Sequence, residues 1–436
     1  MAANAAANKA QEALGDAPTS TTNKPILDPK ATMKALAWFG KQDLRLIDTP
    51  IPRVTDPTDA LIRVTGSTVC GSDLHLLHGD IIQLKKGDIL GHEYMGIIEE
   101  VGSAVTKVKK GDRVVASFSV ACGSCDYCKK GLFTMCDTTN NNSLMDKLYG
   151  GKLAGIAGYG HFGGGFAGGQ AEWVRQPFAD VNLKKIPDDV TDEQALYLSD
   201  IVGTSYHAVV RSGATEGETV GIWGLGPIGL HVAQWLRYKG VKRIIAVDNV
   251  QTRLDLAKEK WGVEGINFDV DTDVVTKIHE LCPGGLDRAI DCAAFRYAKS
   301  MLHKVQRAVG LETDTSEIVN EAIRSVKKFG TIALIADYSL TCNGFLIGPV
   351  MEKGIALVGC GQAPVQKYWD ELLELIRAKK FDPLTIVSHR FKLEQIVDVY
   401  QRFDKKEAGI LKVFLETRFS SPPSPGAPKL TDVNAV

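Results

Sequence analysis

Four cysteines crowd into one short stretch as Cys122-x2-Cys125-x2-Cys128-x7-Cys136. Thiolates this close together can form a closed tetrahedral shell, the arrangement of a structural zinc with no position left for substrate. An iron–sulfur cluster uses related spacings, but nothing else in the chain points to electron transfer. Nearby charges are mixed (Asp126, Lys129, Lys130), which does not suit a zinc module for nucleic acid. A second set is scattered. Cys70 sits in Val69-Cys70-Gly71-Ser72-Asp73-Leu74-His75, and His92 in Gly91-His92-Glu93. A lone cysteine is more often a core residue and a lone histidine a hydrogen-bonded structural one. A catalytic zinc needs three protein ligands and one open position.

A third pattern concerns phosphate. Gly224-Leu225-Gly226-Pro227-Ile228-Gly229 fits G-x-G-x-x-G. With 43 glycines in the chain the pattern alone says little; its context says more, since it follows a β-like run and opens a helix-like one. The first glycine permits the turn, the second lets backbone approach a pyrophosphate, and the third lets helix pack on strand. Asp248, nineteen residues after Gly229, ends the next strand-like run. A carboxylate there accepts bonds from ribose hydroxyls and repels a 2′-phosphate, which selects NAD over NADP. Arg253 is read as bonding or stacking near the adenosine end, against the plainer reading of a solvated helix charge.

These residues need elements to position them. From about Met33 to Val120, short β-rich runs alternate with Gly, Pro and Asp breaks, which predicts a small β barrel or sandwich. The stretch Gly150 to Gly169 is poor material for helix or strand and reads as a long loop over a site. Beyond about Gly203, strand-like Thr219–Trp223, Arg243–Val247, Arg288–Ile290 and Thr331–Ile335 alternate with helical runs, predicting a doubly wound parallel sheet. Met301 to Lys328 is longer and more polar than a minimal crossover and reads as an insertion. The fold class is thus α/β.

Bulk properties set limits. The 436 residues suffice for two or more domains, with 44% hydrophobic and 24% charged residues. A formal charge of −1 gives no basic field for nucleic acid or anionic lipid, and no run is apolar and long enough to span a membrane. Nine cysteines, with no secretory signal, argue for reduced thiolates and a cytoplasmic protein. Residues 1–32, rich in Ala, Asn and Thr, read as a disordered extension. Residues 419–436, with Ser420-Ser421-Pro422-Pro423-Ser424-Pro425, read as a disordered tail.

Taken together, Cys70-Gly71-Ser72-Asp73-x-His75, Gly91-His92-Glu93-x2-Gly96, Gly111-Asp112-Arg113-Val114, the four-cysteine lobe and the Gly224 fingerprint resemble the zinc-containing medium-chain alcohol dehydrogenases. The resemblance extends from about Met33 to Glu416. It implies a GroES-like catalytic domain (33–202, completed by 363–418) and a Rossmann domain (203–362). It also implies two zinc ions per subunit, one catalytic and one structural. Many members place a cysteine ligand just before the cofactor domain; here Leu198-Ser199-Asp200 offers Asp200 instead. That departure, with Gly168-Gly169-Gln170-Ala171-Glu172 and Gly361-Gln362-Ala363-Pro364-Val365, resembles the glutathione-independent formaldehyde dehydrogenase and dismutase branch. One thiolate, one carboxylate and one imidazole still neutralise Zn²⁺. The alternative reading of Asp200 is a helix cap.

The resemblance also implies roles. Cys70, His92 and Asp200 would hold the catalytic zinc, and Asp73 would steady His92. Ser72 and His75 would form a proton relay, and Glu93 would lie beside the metal or serve as an alternate ligand. Gly71, Thr204, Ile228, Arg296 and Lys412 would contact NAD, with Lys412 reaching the pyrophosphate. Glu172 is read as a surface strand position. The implied reaction is hydride transfer between NAD and a small alcohol or hydrated aldehyde, formaldehyde in its gem-diol form above all. General oxidation of small primary or secondary alcohols is an alternative, as is formaldehyde dismutation with NAD retained. A non-enzymatic zinc-stabilised NAD-binding protein would be expected to lack one of the zinc ligands. A homo-oligomer, dimer or tetramer, is the implied assembly.

Overall fold

The computed structural model describes residues 2–293, 300–308, 311 and 313–435. The chain divides into two compact units, Met1–Gly203 with Pro364–Val436, and Thr204–Ala363. Both cuts fall one residue beyond the boundaries read from the sequence.

The first unit is β-rich. Its main sheet runs in the order Leu183–Lys185, Arg113–Ala116, Tyr94–Val101, Ala60–Ser67, Lys412–Glu416, Val387–Lys392, with Trp173–Gln176 also pairing to Ala60–Ser67. The last two strands of that order come from the chain's final stretch. They join through an antiparallel contact of Leu415 with Ser67. A three-stranded sheet of Asp43–Pro52, Leu27–Gly40 and Asp88–Ile89 lies beside it in sequence. Apolar side chains of Leu36, Val69, Leu90, Phe391, Tyr400 and Val413 share one core, so the segments bearing Cys70 and His92 are anchored by packing.

The glycine-rich stretch is a loop, and close approach explains its composition. The amides of Gly168, Gly169 and Gln170 donate to the carbonyls of Ile89, Gly91 and Leu90. A Cβ on Gly168 would lie 2.3 Å from the Leu90 carbonyl oxygen, so backbone lies on backbone just before His92.

Two sequence expectations need correction. Residues 1–32 are not a disordered extension. Ala2–Leu14 is a helix, as its alanine content favours, and it is fixed by directed bonds. Asn4 both accepts from the Leu84 amide and donates to the Leu84 carbonyl, each at 2.9 Å, and Gln11 accepts from the Leu144 amide. Further on, Thr21 and the Thr22 carbonyl accept from the Arg175 guanidinium, which is buried against Asp56 and Asp59. The tail is ordered for a similar reason. Arg390 and Glu193 form a buried pair, and a buried pair needs its remaining bonding capacity filled. The Ser421 carbonyl accepts from Arg390, Ser424 donates to Glu193, and Val433 is buried in the core.

The second unit is a six-stranded all-parallel sheet in the order Glu264–Asn267, Arg243–Asp248, Thr219–Trp223, Leu286–Asp291, Val326–Leu334, Ala356–Gly359. Near-continuous burial of the central strands marks a sheet covered on both faces. Strand order reverses between Thr219–Trp223 and Leu286–Asp291, the position where doubly wound sheets bind ligands. The stretch 301–328 contains helices Met301–Ala308 and Glu317–Ser325. No helix among the described residues is long and apolar enough to cross a membrane.

Candidate catalytic metal site

Cys70, His92, Glu93 and Asp200 converge within the first unit, each offering one donor atom within 4.8 Å of the others. Cys70 closes the segment after strand Ala60–Ser67, and a short helix, Asp73–Leu77, follows it. His92 and Glu93 immediately precede strand Tyr94–Val101. Asp200 lies between the 3-10 turn Leu196–Ser199 and helix Ile201–Ser212.

The distances suit a shared cation. His92 Nε2 lies 3.5 Å from Asp200 Oδ2, long for a hydrogen bond. Two ligands at about 2.0–2.1 Å on a tetrahedron stand about 3.3–3.4 Å apart, so the spacing is that of neighbouring ligands. His92 Nδ1 faces the Asp73 carboxylate, 3.1 Å from its Oδ1, while Nε2 faces Asp200 on the other side of the ring. Burial opposes charge on His92, yet Asp73, Asp200 and Cys70 raise its pKa well above the ordinary value. This concentration of negative donors around one imidazole matches a place for a cation.

Glu93 is held otherwise. Its Oε1 bonds Lys412 Nζ at 2.5 Å, and its second oxygen is buried without a hydrogen-bond partner. Burial and then Asp200 raise the Glu93 pKa, against the lowering pull of Lys412. Lys412 is only 1% exposed and also donates to the Val69 carbonyl. Its ammonium thus lies beside the Cys70, His92 and Asp200 cluster, bonded to Glu93 and to the Val69 carbonyl. Glu172 is corrected: it is buried, accepts from the Lys34 amide and pairs with Arg418, because it faces inward from the segment crossing both.

Ser72 Oγ lies 3.4 Å from His92 Nε2. His75, on the following helix, is part-buried with Nδ1 3.8 Å from Asp80 Oδ2. Gly71 is exposed beside them. Sequence reasoning missed Tyr159. Its ring meets His92 edge-on with centroids 5.7 Å apart, and its hydroxyl donates to the Ser72 carbonyl at 3.2 Å. A tyrosine flanked by Gly158 and Gly160, in a loop already read as covering a site, was the available signal, shared with Phe162 and Phe166 of the same stretch.

The four cysteines of the lobe also converge. Cys122 Sγ and Cys128 Sγ are 3.9 Å apart, against about 3.8 Å for two sulfurs at about 2.3 Å on a zinc tetrahedron. Backbone amides of Ser124 and Cys125 donate to the Cys122 sulfur and that of Cys122 to Cys136. The hydrogen bond from Cys128 lowers the Cys136 thiol pKa and raises that of Cys128, so without a cation the four sulfurs are not all thiolates together. Both donor sets therefore fit zinc.

In the second unit, Gly224 has φ +87°, and a Cβ on Gly229 would lie 1.9 Å from the Gly224 carbonyl oxygen, so turn and helix can meet only with glycine. Pro227 opens helix Pro227–Tyr238, placing Ile228 in its first turn. Asp248 ends its strand beside this turn and accepts from the amides of Leu225 (2.6 Å) and Val250 (2.8 Å). Arg253 stands, part-exposed, in the first turn of helix Gln251–Trp261, and Thr204 in helix Ile201–Ser212. Arg296 lies outside the described residues.

A β-rich unit with two zinc-type donor sets, and a doubly wound unit with a phosphate-binding turn, define a medium-chain dehydrogenase. Residues 56–188 match the alcohol dehydrogenase GroES-like domain and residues 227–311 the zinc-binding dehydrogenase family. A zinc-type alcohol dehydrogenase-like protein of Schizosaccharomyces pombe is 41% identical over 91% of this chain and 94% of its own length. The glutathione-independent formaldehyde dehydrogenase of Pseudomonas aeruginosa is 29% identical, over 88% and 96%. The alcohol dehydrogenase TADH from Thermus sp. ATN1 matches with a TM-score of 0.75 and 30% identity, over 88% of this chain and all of its own. The chain belongs to the zinc-type alcohol dehydrogenases and is an oxidoreductase of that family.

Proposed function

We propose that this protein transfers a hydride between NAD and a small alcohol or hydrated aldehyde, with formaldehyde in its gem-diol form as the leading substrate. The observation that carries this reading is the convergence of Cys70, His92 and Asp200, a donor set with a carboxylate where many relatives are expected to have a second thiolate. The P. aeruginosa formaldehyde dehydrogenase among the relatives supports the same branch.

These three residues would hold the zinc, which supplies a Lewis acid for a substrate oxygen. A carboxylate donates less electron density than a thiolate, so Asp200 would leave the cation more acidic. Asp73 holds the His92 ring in place. Lys412 pairs with Glu93 Oε1, which lies 3.9 Å from His92 Nε2, and would balance its charge beside the donor set. Ser72 Oγ, beside His92, would take the substrate's hydroxyl proton, with His75 as the outward station. Tyr159 covers His92 and Ser72 on one side and would exclude water there. Gly224, Gly226, Ile228 and Gly229 would carry the pyrophosphate of NAD on the helix N-terminus, and Asp248 would face the ribose. NAD would take up or give back the hydride.

A homo-oligomer in the cytoplasm completes the proposal. The edge strand Ala356–Gly359 pairs on one side with Val326–Leu334, and Phe329, Ile347 and Met351 nearby are well exposed. An edge with exposed apolar side chains suits pairing with a second copy. Sedimentation analysis checks this; a monomer at micromolar concentration counts against it.

The test of function is an assay of purified protein with formaldehyde and a panel of small alcohols, with and without added NAD, while zinc per chain is counted. Formate with free NADH supports the dehydrogenase. Formate with methanol and no added NAD points to dismutation. A single zinc per chain removes both.

A further inference from the structure

Behind the metal ligands runs a buried chain of side chains that the reaction does not use. Asp73, whose Oδ1 faces His92 Nδ1, accepts with its Oδ2 from the Cys70 backbone amide at 2.9 Å and from Gln170 Nε2 at 3.2 Å. Gln170 Nε2 also donates to the Thr68 carbonyl at 2.9 Å, and its Oε1 accepts from the Tyr400 hydroxyl at 2.9 Å. Asp73, Gln170 and Tyr400 are each at most 1% exposed. One carboxylate thus touches two proposed ligands, the ring of His92 and the backbone of Cys70. It is held in turn by a glutamine and a tyrosine.

The order of groups in this chain is dictated by chemistry. An ionised carboxylate only accepts, a phenol can donate, and a primary amide can do both at once. Asp73 and the Thr68 carbonyl, which only accept, turn the NH2 end of the Gln170 amide toward them, and Tyr400 holds the remaining oxygen end by donating to it. Gln170 is further fixed by its backbone, which bonds Leu90 and Leu36, and by packing. A Cβ on Gly91, the residue before His92, would lie 2.4 Å from Gln170 Cγ. Tyr400 itself sits in helix Ile396–Asp404, in the core beneath the site.

We propose that Gln170 and Tyr400 are positioning residues for the Cys70–His92–Asp200 metal site, acting through Asp73. The inference rests on the reading that this donor set holds zinc. Removing an outer partner of a metal-bound histidine costs about 10–100-fold in metal affinity. Tyr400, which bonds Gln170 and also lies beside Asp73, acts at the lower end, about tenfold.

The experiment uses the full chain loaded with zinc. Zinc release from Tyr400→Phe and wild type is followed by chelator competition, with the four-cysteine zinc as internal reference. The visible spectrum of the cobalt-substituted protein reports ligand geometry. Tyr400→Phe should release one of its two zincs about tenfold more readily, shift the cobalt bands and leave the reference site unchanged. Gln170→Met, which keeps the length but removes both polar groups, should show a larger loss at the same site and serves if Tyr400→Phe fails to fold. A lowered melting temperature with both zincs held as in wild type would assign these residues a packing role and overturn the inference. A wild-type chain holding one zinc overturns the metal reading and this inference together. Two zincs in wild type with unchanged variants overturn this inference alone.

Discussion

Lys412 Nζ and Glu93 Oε1 lie 2.5 Å apart, joining the chain's final strand to the segment that bears His92 across 319 positions of sequence. Both side chains are almost wholly out of water. Breaking a buried pair from one side leaves an uncompensated charge and costs about 3–5 kcal/mol, whereas replacing both partners costs far less. Lys412→Met should therefore be strongly destabilising, and Lys412→Met with Glu93→Gln should recover most of the loss. Urea unfolding of the four proteins measures this; a double variant as unstable as the sum of its singles would show that the two groups are not coupled.

Asp200→Ala should lose one zinc of two and keep its fold, with turnover falling at least as far as the roughly 10–100-fold cost of losing an outer partner. Cys125→Ser should do the opposite, weakening the lobe and lowering the melting temperature while sparing the Asp200 site. Elemental analysis with circular dichroism separates the two. Full turnover in Asp200→Ala would remove Asp200 from the ligand set.

Asp291, buried at the end of its strand, accepts from Tyr338 and from the Ala293 amide. Burial raises its pKa from 3.8 to about 6. Between those values the folded chain binds more protons than the unfolded one, so this residue's stabilising effect is complete below pH 3.8 and lost as pH rises through about 6. Asp291→Asn should then be more stable than wild type by about 1–3 kcal/mol at pH 8, with the advantage vanishing near pH 4. Paired thermal melts across that range decide it; an advantage independent of pH would be inconsistent with the linkage.

Deleting residues 2–16 should loosen the segment the N-terminal helix holds. At least three bonds from Asn4 and Gln11 are lost, each contributing about 0.5–1.5 kcal/mol. Amides of residues 138–164 should exchange with deuterium more than tenfold faster, read by mass spectrometry. Unchanged exchange there would mean that the helix rests on the surface without supporting it.

Zinc-type spacing, the glycine turn and Asp248 were legible because each is local: a few residues set by one turn or one strand end. Asp200 was found by a gap in a motif, and the structure brings it to Cys70 and His92. What stayed hidden was partner choice. Nothing in Ile410-Leu411-Lys412-Val413 reveals that its lysine turns inward, since that depends on a ladder formed with Ser67. The N-terminal segment looked unstructured because it is poor in large apolar residues. Its order comes from a few directed bonds onto a surface made by residues 83–84, 138–144 and 175, which no local pattern discloses. Gln170 and Tyr400 were invisible for the same reason.

The first unit is interrupted, and this orders events at the ribosome. When Gly203 has been made, the strand that borders Ala60–Ser67 is still some 200 residues from being translated, about 10–40 s at about 5–20 residues per second. Throughout that wait Ser67's side of the sheet stays open and the Glu93 carboxylate lacks its ammonium. The later unit, contiguous in sequence, can finish first, and the unit bearing Cys70, His92 and Asp200 closes only as its last strand leaves the exit tunnel.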